Sequence, residues 1–504
     1  METVGYLLHG FGTVLRPENV FYCFLGVLLG TLVGVLPGIG PTAGIAMLLP
    51  ATTVLDPVPA IIMLAGIYYG AMYGGSTTAI VVNIPGEAAS VPTAVDGYQM
   101  AKQGRAGPAL AMAAISSFVA GTLSVIGLTF FAPSLARFAL RFGPPEVCAL
   151  MVLALSVVIN LSGRSLVRGL ISACLGFLVA TIGLDPITGV ARFSFGSVEL
   201  MSGIEFISVI VGLFAIAEVL SNVRMAQAAE VFKVKLAGLM PSWAEIRACM
   251  GTMLRATGIG FFLGLIPGCT PAVCSFLSYD IEKRVSKEPE KFGRGAIQGV
   301  AGPEGANNAT STAGFIPLFC FGIPSAPALA VLLGGLMMYG LQPGPTLLEK
   351  HPQFVWAVVA SMYIGNVMLL VLNLPLVPLW ARVVTIPYPI LAPLIVVFCF
   401  VGAFSVRMKL FDVWVAVVFG LIGWFMRKLD FPSMPLILAL ILGGTFEQAL
   451  KQSLSMSHTG LLILLQRPIA AAFLGLAAVS VALSVYSRWR LRERAATFLG
   501  EEAD

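Results

Sequence analysis

Gly34 to Gly44 reads GVLPGIGPTAG, and Gly264 to Cys274 reads GLIPGCTPAVC. Laid together, they pair Gly34 with Gly264, Pro37 with Pro267, Gly38 with Gly268 and Pro41 with Pro271, at an offset of 230 (264 − 34). Further on, YGGSTTAIVVNIPG from Tyr73 to Gly86 falls on TAGFIPLFCFGIPS from Thr312 to Ser325, with Ile84-Pro85 on Ile323-Pro324 at an offset of 239 (324 − 85). Asp185-Pro186 and the Asp430 to Pro432 stretch, then Glu218 and Glu447, continue the same order. Landmarks in register along the chain make an internal repeat.

The material around the repeat fixes its solvent. Hydrophobic residues make up 58% of the 504 residues and charged ones 11%, with a mean hydropathy of +0.92. Soluble domains carry about a quarter charged residues, so most of this chain is built for lipid. Apolar runs long enough to cross about 30 Å of hydrocarbon recur along it. They cover roughly 20–50, 59–82, 108–136, 146–161, 166–184 and 204–221, then 256–278, 296–322, 326–348, 354–380, 387–404, 411–426, 433–450 and 468–486. Lipid offers the backbone no hydrogen-bond partner, and these runs far exceed barrel strands of about 10 residues. The expected fold is an all-α polytopic membrane protein.

Between the two series lies a polar, basic linker with Arg224, Lys233, Lys235, Arg247 and Arg255. The chain thus divides into an N-terminal interfacial segment (1–19), a first membrane repeat (20–222), a cytoplasmic linker (223–255), a second repeat (256–455), an extra transmembrane segment (456–487) and a cytoplasmic tail (488–504). Arg488, Arg490, Arg492 and Arg494 follow the last apolar run, as the positive-inside rule expects of a cytoplasmic C-terminus. Ala51 to Ala60 carries no Lys or Arg, whereas its partner Tyr279 to Gly295 carries Lys283, Arg284, Lys287, Lys291 and Arg294. This loop pair places equivalent loops on opposite sides, so the expected arrangement is two repeats of inverted topology.

Pro and Gly inside a membrane helix free backbone groups that need partners, which is tolerable where they line a cavity. In transporters, half-helix N-termini then face anions while unwound carbonyls hold cations. The paired breaks Pro37-Gly38 and Pro267-Gly268, with Pro85-Gly86 and Pro324-Ser325, suit that role. Taken singly, each reads equally well as a structural kink. As matched pairs, they mark a substrate site. Beside them lie Gly74, Gly75, Ser76, Thr77 and Thr78 with Asn83, and Asn307, Asn308, Thr310, Ser311 and Thr312. Their oxygens can replace the water around a sodium ion, which makes Asn83, Asn308, Thr310, Ser311 and Thr312 cation-coupling candidates, and their donors can bind carboxylates. Close helix packing through small polar residues is the plainer reading, and it is favoured for Ser and Thr. Glu87 and Glu304 adjoin these clusters.

Other chemistry finds little footing. The histidines are His9, His351 and His458, with no paired metal ligands, and no Gly-Lys dipeptide exists for a phosphate loop. The eight cysteines sit mostly in apolar runs and read as core residues. Neither an enzyme, a cofactor nor nucleic-acid binding is expected.

GVLPGIGPTAG, YGGSTTAIVVNIPGE, DGYQMAKQGRAGPAL, EGANNATST, GIPSAPALAVLLGGLMMYGLQPGP and TFEQAL together resemble the large transmembrane subunit of tripartite tricarboxylate transporters, over roughly residues 20–455. The resemblance implies a bacterial inner-membrane importer. A periplasmic binding protein would capture a carboxylate, a small membrane subunit would assist, and this subunit would conduct the substrate on an ion gradient, usually sodium. It implies that Gly74 to Thr78, Asn83 to Gly86, Asn307, Asn308 and Gly322 to Ser325 line the pathway. Ser325 stands where the family more often has Gly. Fold-level analogy with other binding-protein-dependent secondary transporters adds an elevator-like motion. The competing classes are a permease powered by a separate ATPase, and a channel or non-transporting membrane scaffold.

Overall fold

A computed structural model of the protein describes residues 2–36, 39–161, 165–185, 188–222, 238–383 and 388–501. Among these the regular secondary structure is helical apart from one two-residue pairing, Gly183–Leu184 antiparallel to Ala191–Arg192. Nine of the described helices are long and apolar enough to span a membrane, and three shorter apolar helices, Leu166–Ala180, Phe206–Asn222 and Pro327–Met338, accompany them. The protein is a polytopic helical membrane protein.

Several apolar runs that read as single segments are each two helices, two of them at the repeated landmarks. The first becomes Pro17–Val35 and Gly40–Leu48. The second becomes Gln298–Ala313 and Phe315–Phe321, where Pro317 lacks the N–H that would continue the ladder. The basic stretch after Asn222 is helical from Trp243, because Ser242 and Glu245 form a capping box that satisfies the first amides of Trp243–Gly264.

The chain folds as two compact units, and each draws on both halves of the sequence. One comprises Met1–Leu140 with Glu205–Phe425, the other Arg141–Ile204 with Met426–Asp504. The second unit packs Met151, Leu155 and Val158 with Ala173, Met434, Leu438 and Leu442 into an apolar core. Its polar end is an ion-pair network. Arg192 grips Glu447 through two hydrogen bonds of 2.7 and 3.1 Å, and Lys451 reaches Asp185 at 2.6 Å and Glu447 at 2.8 Å.

The first unit is built on close helix approach. Along Pro17–Val35, Gly26, Gly30 and Gly34 lie against Met63, Ile67 and Ala71 of Pro57–Val82, and a Cβ at any of the three would overlap the facing carbonyl oxygen. Gly66, Gly70 and Gly74 return the fit from the other side. Two glycine rows spaced by four residues let the backbones touch, the membrane solution where lipid offers no hydrophobic drive for association. The second half repeats that register: Gly260 meets Ala306 and Gly264 meets Thr310, the positions that the two offsets assign to Gly30, Ile67, Gly34 and Ala71.

Candidate functional site: a cavity at the helix breaks

The breaks of the two halves are closed by the same local geometry. Pro57–Val82 ends on Asn83 in the left-handed region at φ 57°, and Phe315–Phe321 ends on Gly322 at φ 69°, residues the offset of 239 pairs. The next amide then returns to an equivalent carbonyl, Ile84 to Thr78 at 3.4 Å and Ile323 to Pro317 at 3.2 Å. Both bonds reach one residue further back than the usual left-handed cap and likewise satisfy a carbonyl near the helix end. Glycine meets the φ requirement freely and Asn is the next most tolerant residue.

After each cap the chain passes Ile-Pro and starts a new helix, and these restarts converge. A cavity of about 340 Å³ is walled by Ile39 to Thr42, Tyr68, Met72, Gly86 to Ala89, Glu218, Thr270 to Ala272 and Ala326 to Ala328. The wall is assembled from equivalent segments. Gly40, Pro41 and Thr42 correspond to Thr270, Pro271 and Ala272, while Glu87, Ala88 and Ala89 correspond to Ala326, Pro327 and Ala328.

Three helices of eight residues or more begin at this wall: Gly40–Leu48, Pro271–Val285 and Pro327–Met338. None has a side-chain cap, and each has proline in its first two positions, where a missing N–H costs nothing. Their remaining first-turn amides, those of Thr42 and Ala272 among them, have no intrahelical acceptor and carry the positive end of the helix dipole. Among the described residues, no Lys, Arg or His lines the cavity. Its two ionisable carboxyl groups are Glu87, to which the Ser90 hydroxyl donates at 3.4 Å, and Glu218, to which Asn222 donates at 2.8 Å. Tyr68 is 1% exposed, and its hydroxyl has no hydrogen-bond partner among the described residues.

Of the residues singled out in the sequence, Gly86 lies in the cavity wall, where a Cβ would overlap the carbonyl oxygen of Gly34. Gly74 to Thr78 form the buried last turns of their helix, with Ser76 donating to the Tyr73 carbonyl and Thr78 to that of Gly75. Asn83 is exposed, and Pro85 is half-buried in the turn between helices. Pro267 and Gly268 sit in the link before Pro271–Val285. The Gly268 amide donates to the Ser325 carbonyl at 3.1 Å, which ties that link to the Pro324-Ser325 break. Pro37 and Gly38 lie outside the described residues.

The second-half polar cluster forms a buried network apart from the wall. Glu304 is fully buried; Thr93 donates to it at 2.6 Å and Asn307 at 3.3 Å. Asn308 donates to the Ser117 hydroxyl at 2.8 Å and to the Glu304 carbonyl at 3.0 Å. Thr310, Ser311 and Thr312 donate to carbonyls of their own helix. A second cross-half tie lies nearby. Asp96 is fully buried and accepts from the amides of Gly293, Gly295 and Ala296 at 2.8–2.9 Å and from the Tyr279 hydroxyl at 2.8 Å, so it anchors a second-half loop to a first-half helix.

Tyr68, Thr42, Thr270 and the 326–328 restart were missed in the sequence. Their signal is positional, since the restarts follow each break within a few residues and carry proline at the first or second helical position. Tyr68 gives no local signal; helical folding alone carries it to the wall.

Fold and site together define a helical membrane protein whose broken helices from both halves enclose one small cavity. The family model for the tripartite tricarboxylate transporter TctA family matches residues 20–438, and the chain belongs to that family. It is 47% identical over 485 residues, 96% of this chain and 97% of the relative, to the "Uncharacterized 52.8 kDa protein in TAR-I ttuC' 3'region" of Agrobacterium vitis. A second protein of that organism, the "Uncharacterized protein in TAR-II ttuC' 3'region", is 42% identical over 226 residues, 45% of this chain and 93% of the relative. No solved structure matches the chain.

Proposed function

We propose that the protein is the conducting subunit of a secondary importer for small organic carboxylates, working with a periplasmic binding protein and a small membrane subunit in the bacterial inner membrane. It is a transporter and not an enzyme. The observation that carries the reading is the cavity, in which helix N-termini of both halves end uncapped and no described residue supplies a fixed cation. Dipole ends and free amides bind a carboxylate, while the lack of Lys or Arg leaves it able to depart.

The same wall argues for a co-transported cation, with sodium the first choice. Glu87 and Glu218 share the cavity, and an anionic substrate beside two carboxylates needs positive charge that the side chains do not provide. The oxygen-rich cluster around Glu304, Asn307 and Asn308, backed by Thr310, Ser311 and Thr312, is the proposed cation store, since a fully buried carboxylate without a basic partner is costly unless neutralised. Inverted repeats, a cytoplasmic C-terminus and an elevator-like movement of the cavity complete the proposal. The loop-charge contrast between Ala51 to Ala60 and Tyr279 to Gly295 supports the inversion.

Reconstitution tests the proposal. Liposomes holding both membrane subunits, supplied with the binding protein and a labelled carboxylate panel, are expected to show saturable uptake that follows a sodium gradient and persists without ATP. Uptake that needs ATP would move the protein to the ATPase-driven class. Unsaturable flux indifferent to the binding protein would make it a channel.

A further inference from the structure

The cavity is symmetric in its helix ends and asymmetric in its side chains. The equivalent N-termini of Gly40–Leu48 and Pro271–Val285 present matching donors at Thr42 and Ala272, enough for two carboxylate groups. Beside them, the first half contributes Glu87 where the second has Ala326. The first half also contributes Tyr68, whose counterpart Asn307 is absent from the wall. Tyr68 and Glu87 therefore bring hydrogen-bonding side chains to first-half wall positions whose counterparts are absent or apolar, alongside Glu218 and the hydroxyls of Thr42 and Thr270.

Two features of these first-half positions ask for a ligand. The Tyr68 hydroxyl is buried and unpartnered, and such a group costs about 1–3 kcal/mol when nothing pairs with it. Glu87 accepts from the Ser90 hydroxyl at a long 3.4 Å and from the Ala89 amide, and a carboxylate's remaining lone pairs leave it able to accept a further donor in the cavity. An alcohol satisfies both at once, because its oxygen accepts from the phenol while its hydrogen goes to the carboxylate.

We infer that the cavity selects a short dicarboxylate bearing a hydroxyl group, with one carboxylate on each of the paired helix N-termini and the hydroxyl between Tyr68 and Glu87. This rests on the carboxylate reading above and adds to it the number of carboxylates and the substituent. The volume of about 340 Å³ lies near the lower end of small-molecule sites, which fits a four- or five-carbon acid. A dicarboxylate lacking the hydroxyl would fill both N-termini yet leave Tyr68 unpaired, and sites built to bond a hydroxyl discriminate against ligands without one.

The test is equilibrium binding to the purified full chain in sodium-containing detergent solution, with malate and succinate as a matched pair and citrate as a third probe. Wild-type protein is expected to bind malate about tenfold more tightly than succinate. Tyr68→Phe, which removes one oxygen and keeps the ring, should narrow the gap to within about threefold, mainly by weakening malate. Glu87→Gln gives an independent narrowing should the tyrosine variant fold poorly, and a thermal-unfolding scan of each variant establishes folding. Equal affinities in wild type, or a gap unchanged in both folded variants, would overturn the inference. Binding of citrate but of neither dicarboxylate would overturn it while leaving the carboxylate reading standing. Absence of binding by any carboxylate across the panel would overturn both.

Discussion

The helix pairs Pro17–Val35 with Pro57–Val82 and Trp243–Gly264 with Gln298–Ala313 share one packing register and differ in what fills it. The first pair meets glycine on glycine, from Gly26, Gly30 and Gly34 to Gly66, Gly70 and Gly74. The second keeps Gly260 and Gly264 but faces them with Ala306, Thr310 and Ala313, and the rest of its inner helix carries Glu304, Asn307 and Asn308. The repeat preserved backbone geometry, which sets where the helices break, and let side chains diverge. One inner helix places Tyr68 in the cavity wall, and the other carries the buried polar network of Glu304, Asn307 and Asn308.

Steric substitution breaks this comparison most strongly. Gly34→Leu drives a side chain into the Ala71 carbonyl and is expected to abolish folded protein, at a cost well above the ~1–3 kcal/mol of ordinary overpacking. Gly264→Ala places its Cβ 2.9 Å from the Thr310 oxygen and 3.0 Å from the Ala313 Cβ, and should cost only about 1 kcal/mol. Folded yield and thermal unfolding in detergent measure both, and equal losses would deny the difference between the pairs.

Chemistry sharpens it next. Asn308→Ala strips the donors from Ser117 and the Glu304 carbonyl and should cost about 2 kcal/mol of stability. If the second-half cluster stores the cation, the sodium concentration for half-maximal uptake should rise severalfold while substrate affinity at saturating sodium stays near that of wild type. An unchanged sodium curve in folded protein would remove Asn308 from that role.

Asn83 gives a smaller effect that separates backbone from side chain. With φ at 57°, Asn83→Ala should lose about 1 kcal/mol, whereas Asn83→Gly, which copies its counterpart Gly322, should be near neutral. Equal effects of the two changes would show that the amide itself matters.

The smallest effect is at the cap of Trp243–Gly264. Burial alone would raise the Glu245 carboxyl, but hydrogen bonds from the Ser242 backbone and hydroxyl and its ion pair with Arg105 outweigh it and hold the group below the ordinary Glu value. A lowered carboxyl contributes stability above the unfolded value near 4.3 and loses it as pH falls through the folded one. Acid below about pH 4.5 should therefore remove roughly 0.5 kcal/mol. Glu245→Gln should abolish that increment in an acid unfolding series.

Much of the architecture was legible before any coordinates. Hydropathy gave the membrane and the helical class, because backbone groups in lipid have no other way to be satisfied. The aligned Pro-Gly landmarks gave the breaks, because proline and left-handed caps are local covalent facts. The rows GVLLGTLVG and GIYYGAMYG around Gly30 and Gly70 also carry the close helix contact in their four-residue glycine spacing. The aligned acids Glu218 and Glu447 promised like roles and took different ones: Glu218 lines the cavity, while Glu447 pairs with Arg192 and Lys451 in the other unit.

Sequence by itself determined which stretches are apolar enough to span lipid, where its helices must stop and which short motifs recur between the two halves, since each depends on a few neighbouring residues. Tertiary structure decided that the helix restarts, and not the Asn and Ser-Thr clusters beside the breaks, enclose the cavity, and that Tyr68 faces it unpaired while Glu304 is buried in a network. Those outcomes depend on which helix face turns inward once distant segments pack, and no short stretch of residues encodes that.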